Sequence, residues 1–120
     1  MDSATFKTMR AAMGLSAART AARLNVSKSA IDLWEAGRRQ IPECAAATLT
    51  CLWKQWVDAL DQLINPAYDH PDTLICYRTE DAYKTANPDA TFNYHEHNAL
   101  ITTALAACAS QGLPRKVTWA

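Results

Sequence analysis

Seven basic side chains crowd the first third of this 120-residue chain: Lys7, Arg10, Arg19, Arg23, Lys28, Arg38 and Arg39. Only Asp2, Asp32 and Glu35 oppose them, so residues 1–41 carry a net +4. The other five basic and nine acidic residues leave 42–120 at −4, and the whole chain at zero. A basic end joined to an acidic remainder suits a partner that is a polyanion met on one side only. Four side chains in one short run could also read what that polyanion carries. Lys28 can donate to guanine O6 or N7, Ser29 can bond several base edges, and Asp32 and Leu33 complete the outward face of the same segment. Arg19 and Arg23 are like charges four apart, a small cost on a helix that bound phosphate would relieve. Arg38 and Arg39 follow Gly37, where a loop could bring them to phosphates as well.

Other chemistries find less support. His95-Glu96-His97 is rich in ligand atoms, but residues two apart do not share a helix face, and no third ligand stands at a recognisable spacing. Cys44, Cys51, Cys76 and Cys108 form no C-x-x-C pair. Cys44 and Cys51 are two helical turns apart, beyond disulfide reach, so all four read as buried, reduced thiols. No G-x-S-x-G, H-E-x-x-H or P-loop pattern occurs. The chain is therefore expected to be no enzyme and to work without metal or cofactor.

Periodicity and punctuation define the elements that would position these residues. Phe6, Met9, Ala12 and Met13 share one face of a helix from about Ser3, its N-cap, to Met13, with Gly14 beyond its end. A second helix starts after Ser16 and runs to Leu24, with Thr20, Ala21 and Leu24 inward. Asn25 suits a left-handed turn. Ser27 caps a third helix to about Ala36, with Ala30, Ile31 and Trp34 inward and Gly37 at its end. Two short helices joined by Asn25-Val26-Ser27 form a helix-turn-helix, able to present the second helix to a major groove. A fourth helix, about Pro42 to Ile64, carries a wide apolar stripe from Ala45 to Ile64 and stops at Asn65-Pro66. Residues 67–72 read as a linker. Thr73 to Arg78 reads as a strand, Thr79 caps a short helix ended by Asn87-Pro88-Asp89, Asn98 to Gln111 is a helix, and Lys116 to Trp119 is a last strand.

Gly14-Leu15-Ser16, Ala21, Leu24, Val26-Ser27, Ile31 and Trp34-Glu35-Ala36-Gly37-Arg38 together resemble the Xre/Cro-type helix-turn-helix of phage and bacterial repressors, over residues about 5 to 50. The long fourth helix, Tyr83, Asn87-Pro88-Asp89 and the helix that follows are similar to the YdiL-like proteins and to anti-CRISPR-associated repressors. The resemblance implies a lambda-repressor-like helical domain. It also implies base contacts from Lys28 and Ser29, and a structural pair, Arg10 and Glu35, tying the first helix to the end of the third. It further implies a dimeric autorepressor joined through its C-terminal part. The chain departs from the family at Ala17, where a glutamine usually contacts DNA, and at Thr20, usually leucine, which must find a partner or sit at a core edge.

The expected fold is mainly α. A helix-turn-helix domain occupies residues 1–66, and its long fourth helix leads into a small α+β region, 67–120, that joins two copies. Two short strands make a poor free-standing sheet, and the fourth helix carries more apolar surface than the N-terminal core requires. Trp53, Trp56, Leu60 and Tyr77 are the expected shared surface. The expected function is a homodimeric, sequence-specific regulator of transcription, a repressor reading a palindromic operator in double-stranded DNA. The alternatives are an antitoxin whose acidic tail neutralises a toxin partner, and a protein-interaction module that keeps the helix-turn-helix as scaffold. With no run of about 18 apolar residues and no signal-peptide pattern at the start, the expected location is the cytoplasm, away from membranes.

Overall fold

The structure is a computed structural model that describes residues 1–69 and 72–120. The fold is mainly helical: α1 (Ser3–Ala12), α2 (Ala17–Leu24), α3 (Lys28–Glu35), α4 (Glu43–Ile64), β1 (Thr73–Cys76), α5 (Glu80–Ala86), α6 (Tyr94–Ser110) and β2 (Lys116–Trp119). It divides into two compact units, Met1–Trp56 and Val57–Ala120, with the division inside α4. Two of the residues expected to form the linker, His70 and Pro71, lie outside the described residues.

The first unit closes around Phe6, Met13, Leu15, Ile31, Trp34 and Leu49, all nearly inaccessible to water. Its first three helices begin on side-chain acceptors. Ser16 Oγ accepts from Arg19 N at 3.1 Å, and Ser27 Oγ from Ala30 N at 3.1 Å. The cap of α1 is Asp2 rather than Ser3. Its carboxylate accepts from Thr5 N at 2.7 Å, and that bond holds the Asp2 carboxyl below its usual range. A carboxylate satisfies the orphan amide and also meets the positive end of the helix, so Asp2 displaces Ser3 to the first helical position. Helix ends are equally regular. The Gly37 amide bonds Trp34 O and the Arg38 amide bonds Leu33 O, a Schellman closure with Gly37 at φ 72°. Asn25, at φ 56°, closes α2 in the same way through Val26 N to Ala21 O at 2.9 Å.

Thr20 is fully buried where apolar character was expected, and its partner is local. Its hydroxyl donates to Ser16 O at 2.8 Å, one turn back. The α4 stripe buries Ala45, Leu49 and Trp56. Cys44 and Cys51 were expected inside but are exposed, because each falls off that stripe; only Cys76 and Cys108 are buried thiols.

In the second unit β1 and β2 pair in parallel, Thr73 opposite Lys116 through Cys76 opposite Trp119. Leu74, Cys76, Ile101 and Ala104 form its core, with Leu60, Leu63 and Ile64 of α4 packed against it. The helix expected from Asn98 begins four residues earlier, at Tyr94. Asn93 and Glu96 form a reciprocal capping box, each side chain bonding the other's backbone amide at 2.9 Å. The strand expected to reach Arg78 stops at Cys76, because the Asn98 side-chain amide takes both the N–H and the C=O of Tyr77, at 3.0 and 2.8 Å. His97 Nε2 bonds Ile75 O at 2.8 Å, so α6 side chains cover much of that edge of the sheet. Burial keeps His97 below the usual imidazole range, which favours the neutral ring donating from Nε2.

Arg115 closes the far end of α4. Its Nη1 donates to Leu63 O at 2.9 Å, supplying a cation to a helix whose last turn has none of its own.

Candidate nucleic-acid interface

The turn between α2 and α3 is three residues long, Asn25-Val26-Ser27, and both of its ends are fixed by hydrogen bonds. It holds α3 with Ile31 and Trp34 in the core. Lys28, Ser29 and Asp32 are consequently exposed on the opposite side, and Leu33 is half-buried between the two faces. Lys28 Nζ and Asp32 Oδ2 form an ion pair at 3.0 Å across one turn of α3, with side chains 61% and 55% exposed.

The four arginines expected at phosphates occupy two places. Arg19 and Arg23 are half-buried on α2, and Arg38 and Arg39 are exposed after Gly37. The amides of both Arg38 and Arg39 bond Leu33 O, at 3.0 and 3.3 Å, so the backbone that carries these side chains is anchored to α3 itself. Ala17 is half-buried in the first turn of α2 and offers no polar group.

Arg10 and Glu35 join α1 to the end of α3. Arg10 donates through Nε and Nη2 to the two Glu35 oxygens, at 2.5 and 2.6 Å, and through Nη1 to Leu15 O at 3.0 Å. One guanidinium thus links α1, the turn after it and the last residue of α3. The bonds to Glu35 push Arg10 further above the ordinary guanidinium range. Trp34 sits beside the pair in sequence and packs edge-on against Phe6, ring centroids 5.8 Å apart. The end of α3 is therefore held by an ion pair and an aromatic contact together.

The residues expected at a shared surface are placed differently from one another. Trp53 is half-buried and stacks on Trp56 at 5.6 Å, while Trp56 is 2% exposed. Leu60 packs against the second core. Tyr77 is buried, edge-on to Tyr83 at 5.3 Å. Apolar side chains that do face water include Val57, Ile75, Leu113, Val117 and Trp119. Sequence reasoning missed this set because a strand pattern tells which residues alternate, not which face another element will cover.

Among the described residues no group of three His, Cys, Asp or Glu side chains could hold a metal ion. No helix among them is long and apolar enough to cross a membrane.

Residues 3–52 match a family model described as a helix-turn-helix domain. That stretch covers α1, α2, α3 and the first turns of α4, so the first unit is a helix-turn-helix domain. No curated protein matches the chain.

Proposed function

We propose that this protein is a sequence-specific regulator of transcription, a homodimeric repressor that binds a palindromic site in double-stranded DNA through its first unit. One observation carries the reading. Inside a helix-turn-helix domain, the face of α3 that the core leaves free bears Lys28, Ser29 and Asp32, and the surrounding unit is strongly basic while the remainder of the chain is acidic. Lys28, Ser29, Asp32 and Leu33 are assigned to base edges, and Arg19, Arg23, Arg38 and Arg39 to phosphates that fix the register.

The dimer follows from what one unit can do. A single module of this size covers roughly 600–1,000 Å² of DNA, too little for tight specific binding, and two-fold pairing doubles it. The second unit supplies surface for the pairing. A parallel sheet is ordinarily covered on both faces, yet here Ile75, Val117 and Trp119 are 43, 42 and 54% exposed. Trp56 and Tyr77 are already used in the chain's own packing; Val117 and Trp119, which the strand register places on one face, are the apolar surface assigned to a second copy, with Leu60 contributing its exposed edge.

A gel shift of the full chain against the DNA upstream of its own gene tests the function. Retardation that survives excess unrelated DNA is the expected result; no retardation of any DNA at low salt would favour a scaffold role for the helix-turn-helix. Sedimentation equilibrium at micromolar concentration tests the assembly. A species of twice the 13.2 kDa chain mass is expected, and a monomer that still binds one operator specifically would refute the dimer.

A further inference from the structure

Asp32 is out of place on a surface meant for a polyanion. It is the one acidic residue on the exposed face of α3, more than half open to solvent, where phosphates and the acceptor-rich major groove would both repel it. An ordinary exposed ion pair spaced four residues apart adds little to the stability of a helix, so stability gives little reason to keep a carboxylate there. The groove does offer a carboxylate two partners, the amino groups of cytosine N4 and adenine N6.

We infer that Lys28 and Asp32 act as one unit that reads a G·C base pair in each half-site. The inference rests on α3 being the DNA-reading helix. The two hydrogen-bonding patterns match. An ammonium has three protons, and the bond to Asp32 Oδ2 at 3.0 Å uses one of them. The other two remain for acceptors. The carboxylate keeps its second oxygen and spare lone pairs. Side by side, the pair therefore presents donors followed by an acceptor. The major-groove edge of G·C presents the complement in order: guanine N7 and O6 as acceptors, then the cytosine N4 amino group as donor.

An A·T pair does not fit. Its adenine N6 amino group would stand where O6 accepts from Lys28, and thymine O4 would face the carboxylate, acceptor against acceptor. The ion pair also fixes the order of the two groups along the helix, Lys28 toward its start and Asp32 one turn on, so G·C and C·G are distinguished as well. The lysine offsets the charge that would keep a lone aspartate out of the groove. The aspartate in turn stops the lysine from settling on the nearest phosphate. Ser29, with a hydroxyl that both donates and accepts, adds little discrimination of its own.

Binding-site selection from a random duplex library tests the inference, using the full chain as wild type, Lys28→Ala, Asp32→Ala and the double variant. Both substituted side chains lie on the exposed face, and circular dichroism checks that each variant folds. Wild type should return a site with one invariant G·C per half-site that prefers G·C to A·T by roughly ten- to hundredfold at that position. Lys28→Ala and Asp32→Ala should each relax that same position and leave the others intact, and the double variant should lose little more than either single one. Two results would overturn the pairing while leaving DNA binding standing: an Asp32→Ala motif identical to wild type, or relaxation at two separate positions. A wild type that selects no motif and binds no duplex at low salt would remove both this inference and the function it rests on.

Discussion

Replacing Arg19, Arg23, Arg38 and Arg39 together with alanine is expected to flatten the salt dependence of DNA binding by about 3.6 in the slope of log affinity against log salt, about 0.9 for each phosphate that the protein no longer neutralises. Over a fourfold rise in salt that difference amounts to roughly a hundredfold in affinity, because fewer condensed counterions are released when the protein binds. The four side chains stand on two differently built supports. Arg19 and Arg23 ride on α2, whose first turn is fixed by Ser16. Arg38 and Arg39 hang from a loop whose amides are bonded to Leu33 O. The α2 pair lies on a regular helix and should keep its place as it binds. Fluorescence anisotropy on the operator, repeated at several salt concentrations, measures the slope for wild type and variant. The loss should be equal for operator and unrelated DNA, since bonds to phosphate carry no sequence. An unchanged slope would remove all four from the interface.

Much of the first unit could be read in the sequence because its signals are local. Ser16, Ser27, Asn25 and Gly37 each act on a backbone within a few residues, and each stands where its chemistry predicts. Thr20 shows the limit of that reasoning: its burial follows from the helix period, but the hydroxyl's answer, a bond to Ser16 O, depends on a choice of rotamer. At α1 two good caps stand side by side, and the carboxylate of Asp2 prevails over the hydroxyl of Ser3. The start of α6 is legible in the Asn93-x-x-Glu96 spacing, a capping box hidden because its Glu96 lies within the polar run of Tyr94 to His97.

Tertiary covering was not legible. The apolar stripe of α4 announces burial without saying what buries it. Trp56 is enclosed within the chain, whereas Val57 beside it remains exposed. Tyr77 reads as a strand residue free for a partner until Tyr83 and Asn98 arrive from α5 and α6, across 6 and 21 positions of sequence. The exposure of Val117 and Trp119 could not be inferred from β2 alone, because it depends on the absence of a covering layer among the described residues. The uneven charge falls along the same line as the fold: the helix-turn-helix unit is basic and the α+β unit is acidic.

Arg10→Met is expected to destabilise the first unit by about 3 kcal/mol, among the larger effects of any single substitution in this chain. The missing attraction is the lesser part of the cost. Glu35 is 11% exposed, so its carboxylate would stay largely out of water with both of its Arg10 donors gone, and Leu15 O would lose its bond from Nη1 as well. Arg10→Lys should recover little, since a single ammonium cannot fork onto two carboxylate oxygens while also reaching a carbonyl. Arg10→Met combined with Glu35→Met should recover most of the loss, because no buried charge is then left without its partner. Urea titration followed by tryptophan fluorescence reads the right part of the molecule, as Trp34, Trp53 and Trp56 lie in the first unit and only Trp119 in the second. If the double variant were as unstable as the single one, the attraction itself would be the source of stability. If the double variant is stable yet binds operator weakly, the pair's role is to hold the end of α3, and with it the Leu33 carbonyl from which Arg38 and Arg39 are suspended, at the angle that DNA requires.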